Sequence, residues 1–398
     1  MQKFIQSDFK MIIIENKIQE IANTLASYQP VKYGFEGCRG VALFLLQYYQ
    51  YTKNEIYYNK AIDLIEKEFE FYGEHYDNPS FWTGVAGLGW FCNAIIKKHF
   101  DNEYDSGINA MDYLFESMIL NDKRLGLYYY DYLHGNLGLA NYFISENQFK
   151  PLSETVDRLY EFAIIDKYSD GLKWGTYTKH TKNIDFNLSL SHGMSSVVVM
   201  LSKIYSLGIQ EDKCTYMLEG SINYILTQKL PHGNYNSMYG AMAIESMKPL
   251  CDSRMSWCYG DLCVAIALWH ASKALNKKDW FNKAIEIFIH ASKRRDLKQN
   301  HVIDACFCHG TSGIAYIFNK IFKHTGIKEF QEAADYWFDR TLMMCCSEHY
   351  PAGYGYWNNE KGYVCEYGIL DGIAGIGLSL LSYVSDIDSS WDECLLLS

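Results

Sequence analysis

The chain has 398 residues, of which 48% are hydrophobic, 21% charged and 16% aromatic. This composition is typical of a globular protein with a large core, and it excludes a disordered chain. The formal net charge of -11 argues against a nucleic-acid-binding or anionic-membrane-binding surface, because such surfaces carry basic patches. We therefore expect no nucleic-acid partner.

The first residues and the cysteines help to predict the cellular compartment of the protein. The apolar run 11–14 has only four residues and is flanked by charges, which is too short for a signal peptide or a membrane-spanning helix. We expect a cytoplasmic protein without direct membrane insertion. Its twelve cysteines should then be thiols, because the cytosol keeps thiols reduced. Free thiols make a metal site possible.

Along the chain, one pattern recurs seven times: a glycine, two residues, a small residue and then an apolar helix. The lead glycines are Gly37, Gly84, Gly135, Gly193, Gly260, Gly310 and Gly372, separated by 47, 51, 58, 67, 50 and 62 residues. Seven such units fill the chain.

Between the glycine-led helices lie amphipathic segments with apolar residues at helical spacing. The clearest are 54–72, 212–230, 279–294 and 328–344. Each repeat is thus predicted to be a helix pair. The apolar helix must be buried because it is apolar nearly all round, whereas its amphipathic companion can face solvent.

We predict an all-α fold, an (α/α) toroid in which an inner barrel of seven helices is surrounded by seven outer helices. The inner-helix starts are too polar for the core of an open solenoid, which favours closure. We expect a single domain over 1–398, with an irregular excursion around 149–190. Glycines at the inner-helix starts should allow close backbone approach and leave N–H groups free at the end where chemistry takes place.

A polar rim is expected at that end, because the residue before each lead glycine is a carboxylate, hydroxyl or imidazole. These residues are Glu36, Thr83, His134, His192, Tyr259, His309 and Asp371. One position earlier, two neighbouring repeats carry Cys258 and Cys308. Adjacent helices lie about 8–10 Å apart, so these side chains could converge with His309. Two thiolates and an imidazole favour zinc, with the fourth position open as in catalytic sites.

Simpler explanations remain open for each member of this rim. A lone cysteine usually behaves as a small buried hydrophobe. Cys263 and Cys306 are interpreted in that way, although either could serve as a fourth ligand. His134 could be a hydrogen-bonded structural residue as well as a catalytic one. The rim carboxylates and threonine could simply cap the inner helices.

The segments "SWCYGDLC", "CHGTSG" and "LSLSHGMSS", set among seven glycine-led helix pairs, resemble the lanthionine synthetase C family. These LanC-type cyclases close thioether rings in lanthipeptides, and the similarity covers nearly the whole chain. The resemblance implies that Cys258, Cys308 and His309 bind zinc. It also implies catalytic roles for His192, Asp131, Arg254 and Tyr259.

The chain departs from the family pattern at two helix starts. Leu262 and Cys263 stand where a Pro-Gly pair is usual, and Ser196 replaces a second glycine. These positions concern helix packing rather than the expected ligands. We therefore expect them to change local geometry rather than activity.

The activity implied by the resemblance is a zinc-dependent addition of peptide cysteine thiolates to dehydroalanine or dehydrobutyrine in a dehydrated precursor peptide. A coordinated thiol loses its proton, which prepares it for attack. We expect His192 to donate or remove a proton, Asp131 to orient it or share this role, and Arg254 to stabilise the enolate or position the peptide. A dehydratase and an exporter are candidate partners, and the protein is expected to be a monomer.

Three alternatives remain. A glycosidase of similar architecture would need two carboxylates beside a cleft, and it would leave the expected zinc ligands unexplained. A non-catalytic scaffold of the same fold could bind peptides. A LanC-like enzyme could instead add glutathione to dehydroamino acids.

Overall fold

Each lead glycine is followed directly by a helix in the computed structural model, which describes residues 2–398 except 76, 99–110, 125–126, 179–181, 232 and 346. These glycine-led helices are α2 (Cys38–Thr52), α4 (Val85–Phe91), α6 (Asn136–Ser145), α8 (Met194–Ser206), α10 (Asp261–Ala274), α12 (Thr311–Thr325) and α14 (Ile373–Val384). Helix α4 continues as a π-helical segment, Cys92–Lys97.

A second set of helices alternates with the first along the chain. It comprises α1 (Gln2–Ala26), α3 (Glu55–Glu74), α5 (Asp112–Asn121), α7 (Phe149–Phe162), α9 (Glu211–Thr227), α11 (Lys278–Ser292) and α13 (Lys328–Met343). The two sets differ in burial. In α12, every residue from Thr311 to Asn319 is buried.

The second set is buried on one face only. Helix α11 buries Ala284, Ile287, Phe288 and Ala291, the i, i+3, i+4, i+7 spacing of an amphipathic helix. Full burial of a side chain such as Ile287 contributes about 1.5–3 kcal/mol. Such faces hold each outer helix on its inner partner.

The described residues group into two compact units, Met1–His75 with His301–Asp392, and Tyr76–Asn300 with Glu393–Ser398. In the first unit, α14 packs against both α2 and α12, and α1 covers α14. In the second unit, α4 packs against α6, α6 against α8, and α8 against α10. Within each unit, successive glycine-led helices are thus neighbours.

Four two-stranded antiparallel sheets connect helices in the described ranges. Their strands are β1 (Lys123–Arg124), β2 (Leu127–Tyr128), β3 (Ile164–Ile165), β4 (Leu172–Lys173), β5 (Thr176–Thr178), β6 (Asn183–Asp185), β7 (Tyr356–Asn358) and β8 (Gly362–Val364). Strands β3 to β6 lie between α7 and α8, within the predicted excursion around 149–190, whose first part is the regular helix α7. In the last hairpin, Tyr356 pairs with Val364 and Asn358 with Gly362.

The lead glycines are required by close backbone approach. A Cβ on Gly84 would lie 2.2 Å from the carbonyl oxygen of Asn78, and that same carbonyl accepts the N–H of Val85 at 3.0 Å. The turn at Gly310 contains the equivalent hydrogen bond, since the Asp304 carbonyl accepts the N–H of Thr311 at 3.1 Å. The expectation of free N–H groups at these helix starts is therefore wrong for the first N–H, which the preceding turn already uses.

The turn before α10 is built differently. Gly260 has φ +85°, a left-handed conformation that favours glycine. Cys263 occupies the position where Gly313 lies in α12. At Gly313 a Cβ would meet the Phe307 carbonyl at 1.8 Å, whereas the thiol of Cys263 hydrogen-bonds the equivalent carbonyl of Trp257 at 2.9 Å. The departure from the family pattern at Cys263 is thus accommodated by the conformation of Gly260.

None of the helices in the described ranges combines the length and apolar character needed to cross a membrane. Seven of the eleven cysteines in these ranges are buried.

Candidate functional site

The side chains before the lead glycines are the part of each helix start that reaches solvent. Glu36 and His134 are exposed, and the other members of the predicted rim are half-buried, whereas all seven lead glycines are buried. Each unit therefore carries part of a polar rim, directly before helices whose first turns are buried.

Neighbouring turns of the second unit are joined by backbone hydrogen bonds. The N–H of Trp82 donates to Leu133 at 2.9 Å, and the N–H of Leu190 donates to Cys258 at 3.2 Å. The second bond fixes the turn that carries His192 against the turn that carries Cys258. Two residues predicted to act on the same thiol are thus placed on bonded turns of one unit.

Asp131, which precedes Gly135 by four residues, forms a polar pair with the rim residue His192. The carboxylate Oδ2 of Asp131 lies 2.6 Å from Nδ1 of His192, and its Oδ1 accepts the backbone N–H of His134 at 2.8 Å. Because a carboxylate can only accept, Nδ1 of His192 carries the proton and Nε2 faces away from the pair. The His134 ring lies nearly parallel to that of His192, with centroids 6.0 Å apart.

The protonation of His192 is set by competing effects. Burial alone would lower the pKa of its imidazole, but the hydrogen bond and charge of Asp131 raise it above the ordinary value, with a smaller contribution from Cys258. A histidine in such surroundings can exchange a proton at Nε2 with a reacting group.

Cys258 is buried in the turn before α10, which is fixed from several sides. The indole N–H of the preceding residue, Trp257, donates to the Leu395 carbonyl at 2.9 Å. The N–H of Tyr259 donates to the Ser256 hydroxyl at 3.0 Å, and that hydroxyl donates back to the Tyr259 carbonyl at 3.0 Å. Cys258 and Tyr259 are therefore presented by a rigid loop.

Arg254 is half-buried in the segment that precedes Gly260. A buried ion pair fixes this segment. The guanidinium of Arg294 donates to Asp261 Oδ2 at 2.8 Å and to the carbonyl of Ser253 at 2.9 Å. Asp261 Oδ1 also accepts the N–H groups of Met238 and Tyr239, each at 2.9 Å. This network fixes the peptide bond that leads into Arg254.

In the first unit, Cys308 and His309 are half-buried at the start of α12. The N–H of Cys308 donates to Leu370 at 2.8 Å, which joins this turn to the one carrying Asp371. Burial raises the pKa of the Asp371 carboxyl to about 7; nearby carboxylates add to the rise, and His309 opposes it. The Tyr356 ring lies 5.6 Å from the His309 ring.

The side chains of Asp304, Cys306 and His309 are close enough together to hold a metal ion. One potential ligand atom of each lies within 4.8 Å of the others. Both oxygens of Asp304 are engaged, however, since Oδ1 accepts the N–H of Cys306 at 3.0 Å and Oδ2 accepts the N–H of Trp357 at 2.9 Å. Burial raises the pKa of the Cys306 thiol well above its usual value. Asp304 is thus an anchor, and Cys306 is a protonated core thiol.

Sequence reasoning missed Asp304, although a signal was available. An Asn or Asp stands six residues before the lead glycine in three repeats, at Asn78, Asn187 and Asp304. In each, its Oδ1 accepts the N–H of the residue two positions later, at 3.2, 2.8 and 3.0 Å respectively. This is a recurrent Asx turn. Tyr356 and Arg294 lie far along the chain from their partners and had no local signal.

Comparisons with known proteins address the family and the fold. Residues 34–396 match the model of the family described as lanthionine synthetase C-like protein. Glutathione S-transferase LANCL1 of Danio rerio is 22% identical over 303 residues, which is 73% of this chain and 70% of that protein. Nisin cyclase is 18% identical, with a TM-score of 0.71 over 99% of this chain and 98% of its own.

A cellobiose 2-epimerase from Bacillus thermoamylovorans is 12% identical and has a TM-score of 0.50, over 96% of this chain and 99% of its own. A fold that is found with different activities does not by itself define function. The likeness to nisin cyclase does confirm the predicted fold class. Because the family model spans nearly the whole sequence, the chain belongs to the lanthionine synthetase C-like family.

Proposed function

We propose that this protein is a zinc-dependent lanthionine synthetase, a cyclase that adds cysteine thiols of a dehydrated precursor peptide to dehydroalanine or dehydrobutyrine. Family membership and the shared fold support a cyclase-type enzyme. The single observation that carries the proposal is the Asp131–His192 pair, which the Leu190–Cys258 bond fixes beside the Cys258 turn.

We propose Cys258, Cys308 and His309 as the zinc ligands. Two cysteines and a histidine form a donor set suited to zinc, and a fourth position would remain for substrate. Cys308 and His309 are both accessible in part. When bound, zinc would lower the pKa of a substrate thiol and hold it as a thiolate.

His192 would move the proton in this reaction. The addition consumes the thiol S–H bond and the C=C bond, forms a C–S and a Cα–H bond, and releases no group. His192 can take up the thiol proton at Nε2 and return it to the α-carbon, while Asp131 holds the opposite nitrogen. Such acid–base help contributes about 10²–10⁴-fold.

Arg254 and Tyr259 would act on the oxygen that gains charge when the C=C bond is attacked. Arg254 carries a permanent positive charge. The Asp261–Arg294 network holds its backbone, and the Ser256 hydroxyl holds that of Tyr259. Fixed donors are more effective than mobile ones because they need no reorganisation during the reaction.

The test uses a synthetic peptide with one dehydroalanine and one cysteine. Cyclisation leaves its mass unchanged but removes the free thiol, so the product no longer reacts with iodoacetamide, which mass spectrometry detects. We expect purified protein to form this product and His192→Asn to slow it by about 10²–10⁴-fold with zinc retained. Unaltered turnover in the variant would remove His192 from the mechanism.

A second candidate is the addition of glutathione to dehydroamino acids, which the likeness to a glutathione S-transferase favours. A peptide with dehydroalanine but no cysteine distinguishes the two. In this second peptide, glutathione addition raises the mass by that of one glutathione. If this addition is as fast as cyclisation of the first peptide, the result would favour glutathione addition. A scaffold without activity would convert neither peptide.

The cellular setting follows from the chemistry. We propose a cytoplasmic location, because the proposed ligands and substrate must be reduced thiols and the cytosol keeps thiols reduced. A dehydratase must supply the dehydroamino acids, and an exporter would remove the product; both are proposed partners.

A further inference from the structure

The β7–β8 hairpin is hydrogen-bonded to the residues just before the turn that carries Cys308 and His309. The carboxylate Oδ2 of Asp304 accepts the N–H of Trp357 on β7 at 2.9 Å. On β8, the Tyr363 hydroxyl donates to the carbonyl of Ile303 at 3.2 Å. Both strands of the hairpin are therefore tied to two consecutive residues.

Asp304 also fixes the turn itself. Its Oδ1 accepts the N–H of Cys306 at 3.0 Å, and its carbonyl accepts the N–H of Thr311 at 3.1 Å. The residue is only 2% exposed. A single buried carboxylate thus holds both the hairpin and the turn that presents His309.

The consequence is the placement of Tyr356. Its ring lies 5.6 Å from the His309 ring at an interplanar angle of 56°, and it is half-buried. Tyr363, on the other strand, is 43% exposed and packs on Trp357 at 5.1 Å and on Tyr350 at 6.1 Å. The hairpin therefore presents one tyrosine to the candidate ligand His309 and another outward.

A cysteine bound to the same zinc ion as His309 would come close to this ring. Zn–N and Zn–S bonds in proteins are about 2.1 and 2.3 Å long, so a shared ion would hold the sulfur close to the histidine nitrogen. The peptide groups that flank such a cysteine would then lie near His309, whose ring Tyr356 faces at 5.6 Å. Flat peptide or enamide groups pack well on an aromatic face.

We propose that Tyr356 contacts the cysteinyl peptide on which the enzyme acts and that Asp304 is a positioning residue that holds Tyr356 in place. This inference rests on the proposed function. The recognised group is a cysteine with its flanking peptide groups. Both a precursor peptide and glutathione contain this group.

The test measures binding rather than turnover. Two unreactive probes, a peptide with cysteine but no dehydroalanine, and glutathione, are titrated into zinc-containing protein by calorimetry. We expect Tyr356→Ala to raise the Kd of the recognised probe by about 2- to 12-fold, the range for one aromatic contact. The probe that responds identifies the source of the cysteine. Zinc content should stay at the wild-type level.

Tyr168→Ala is the matched control because it removes the same side chain at a position that is 99% exposed and takes no part in the hairpin. We expect it to leave both Kd values unchanged. Tyr356→Leu retains apolar volume without the flat ring, and it serves if Tyr356→Ala proves unstable. It should also raise the Kd.

The role of Asp304 is tested by Asp304→Asn, which keeps the size of the side chain but loses one acceptor. Amide exchange at Trp357 should accelerate, and Kd should rise as in Tyr356→Ala. Because Asp304 acts through Tyr356, the substitution should add nothing further in the Tyr356→Ala background.

Two results would contradict the inference. Wild-type Kd values for both probes in Tyr356→Ala and Tyr356→Leu would remove Tyr356 from the binding site. An equal effect of Asp304→Asn with and without Tyr356 would show that Asp304 does not act through it. A wild-type protein that holds no zinc and binds neither probe would overturn the proposed function together with this inference.

Discussion

The Nδ1 atom of His192 and the Oδ2 atom of Asp131 lie 2.6 Å apart, a short distance of the kind that charge-assisted hydrogen bonds have. The pair joins two consecutive repeats of the same unit. It fixes the tautomer of the histidine and raises the pKa of its imidazole.

The first prediction concerns this pKa. In Asp131→Asn the charge that favours imidazolium is lost, so the pKa of His192 should fall. The limb of the pH–rate profile that His192 controls should then move to lower pH, whether the residue acts as acid or as base. The measurement is the pH dependence of kcat/KM for the cysteine–dehydroalanine peptide.

Asp157→Asn provides the control, since Asp157 is another carboxylate of the same unit but is paired with Lys213 at the surface. It should leave the profile in place. A profile that does not move in Asp131→Asn would show that His192 does not control it.

The second prediction concerns zinc. Elemental analysis should find about one zinc per wild-type chain, as expected for one three-ligand site, and little in Cys258→Ala or Cys308→Ala. Cys263→Ala and Cys306→Ala remove buried thiols of the same two helix starts and should retain the metal. Loss of zinc in all four variants would point to general disruption rather than to specific ligands.

The third prediction concerns the repeated turn. In Gly84→Ala the new Cβ would lie 2.2 Å from the Asn78 carbonyl oxygen, so the backbone must shift. We expect a loss of about 1–3 kcal/mol in the free energy of unfolding. At Gly73, in α3, no atom lies within 4 Å of an added Cβ.

Gly73→Ala should therefore stabilise the protein, by about 0.4–1 kcal/mol, because it reduces the freedom of the unfolded chain. Urea unfolding of both variants measures the contrast. Equal effects would mean that close approach does not explain the glycine at position 84.

The fourth prediction concerns the anchor of Arg254. Arg294→Ala leaves the buried Asp261 carboxylate without its cation and should cost about 3–5 kcal/mol of stability. The loss is measured by denaturant unfolding. The Lys328–Glu332 pair lies on the surface of α13, and Lys328→Ala should cause no resolvable change because exposed pairs contribute little.

Much of the fold could be predicted from the sequence because its signals are local. A glycine followed by an apolar run marks every inner-helix start, and Ala284, Ile287 and Phe288 show the spacing of an outer helix. The same regularity placed His192 and Cys258 on neighbouring turns. The role of each side chain, including the zinc ligands, stays a prediction.

Contacts between distant residues could not be predicted in this way. Nothing near Asp304 in sequence indicates that it binds the N–H of Trp357, 53 residues away. Likewise, Arg294, just after the end of α11, reaches the carbonyl of Ser253 in the loop before α10. Such bonds depend on how helices pack, which periodicity does not specify.

In the turn before each inner helix, the backbone and the side chain before the glycine have different roles. Backbone groups and buried glycines build the turn and tie it to its neighbour, as the Leu190–Cys258 and Cys308–Leu370 bonds show. The side chain before the glycine takes no part in those backbone bonds, although at Thr83 its hydroxyl also bonds the side chains of Asn78 and Ser80. Mutation can therefore exchange carboxylate, hydroxyl and imidazole at this position while the scaffold stays intact, so new chemistry can evolve one turn at a time.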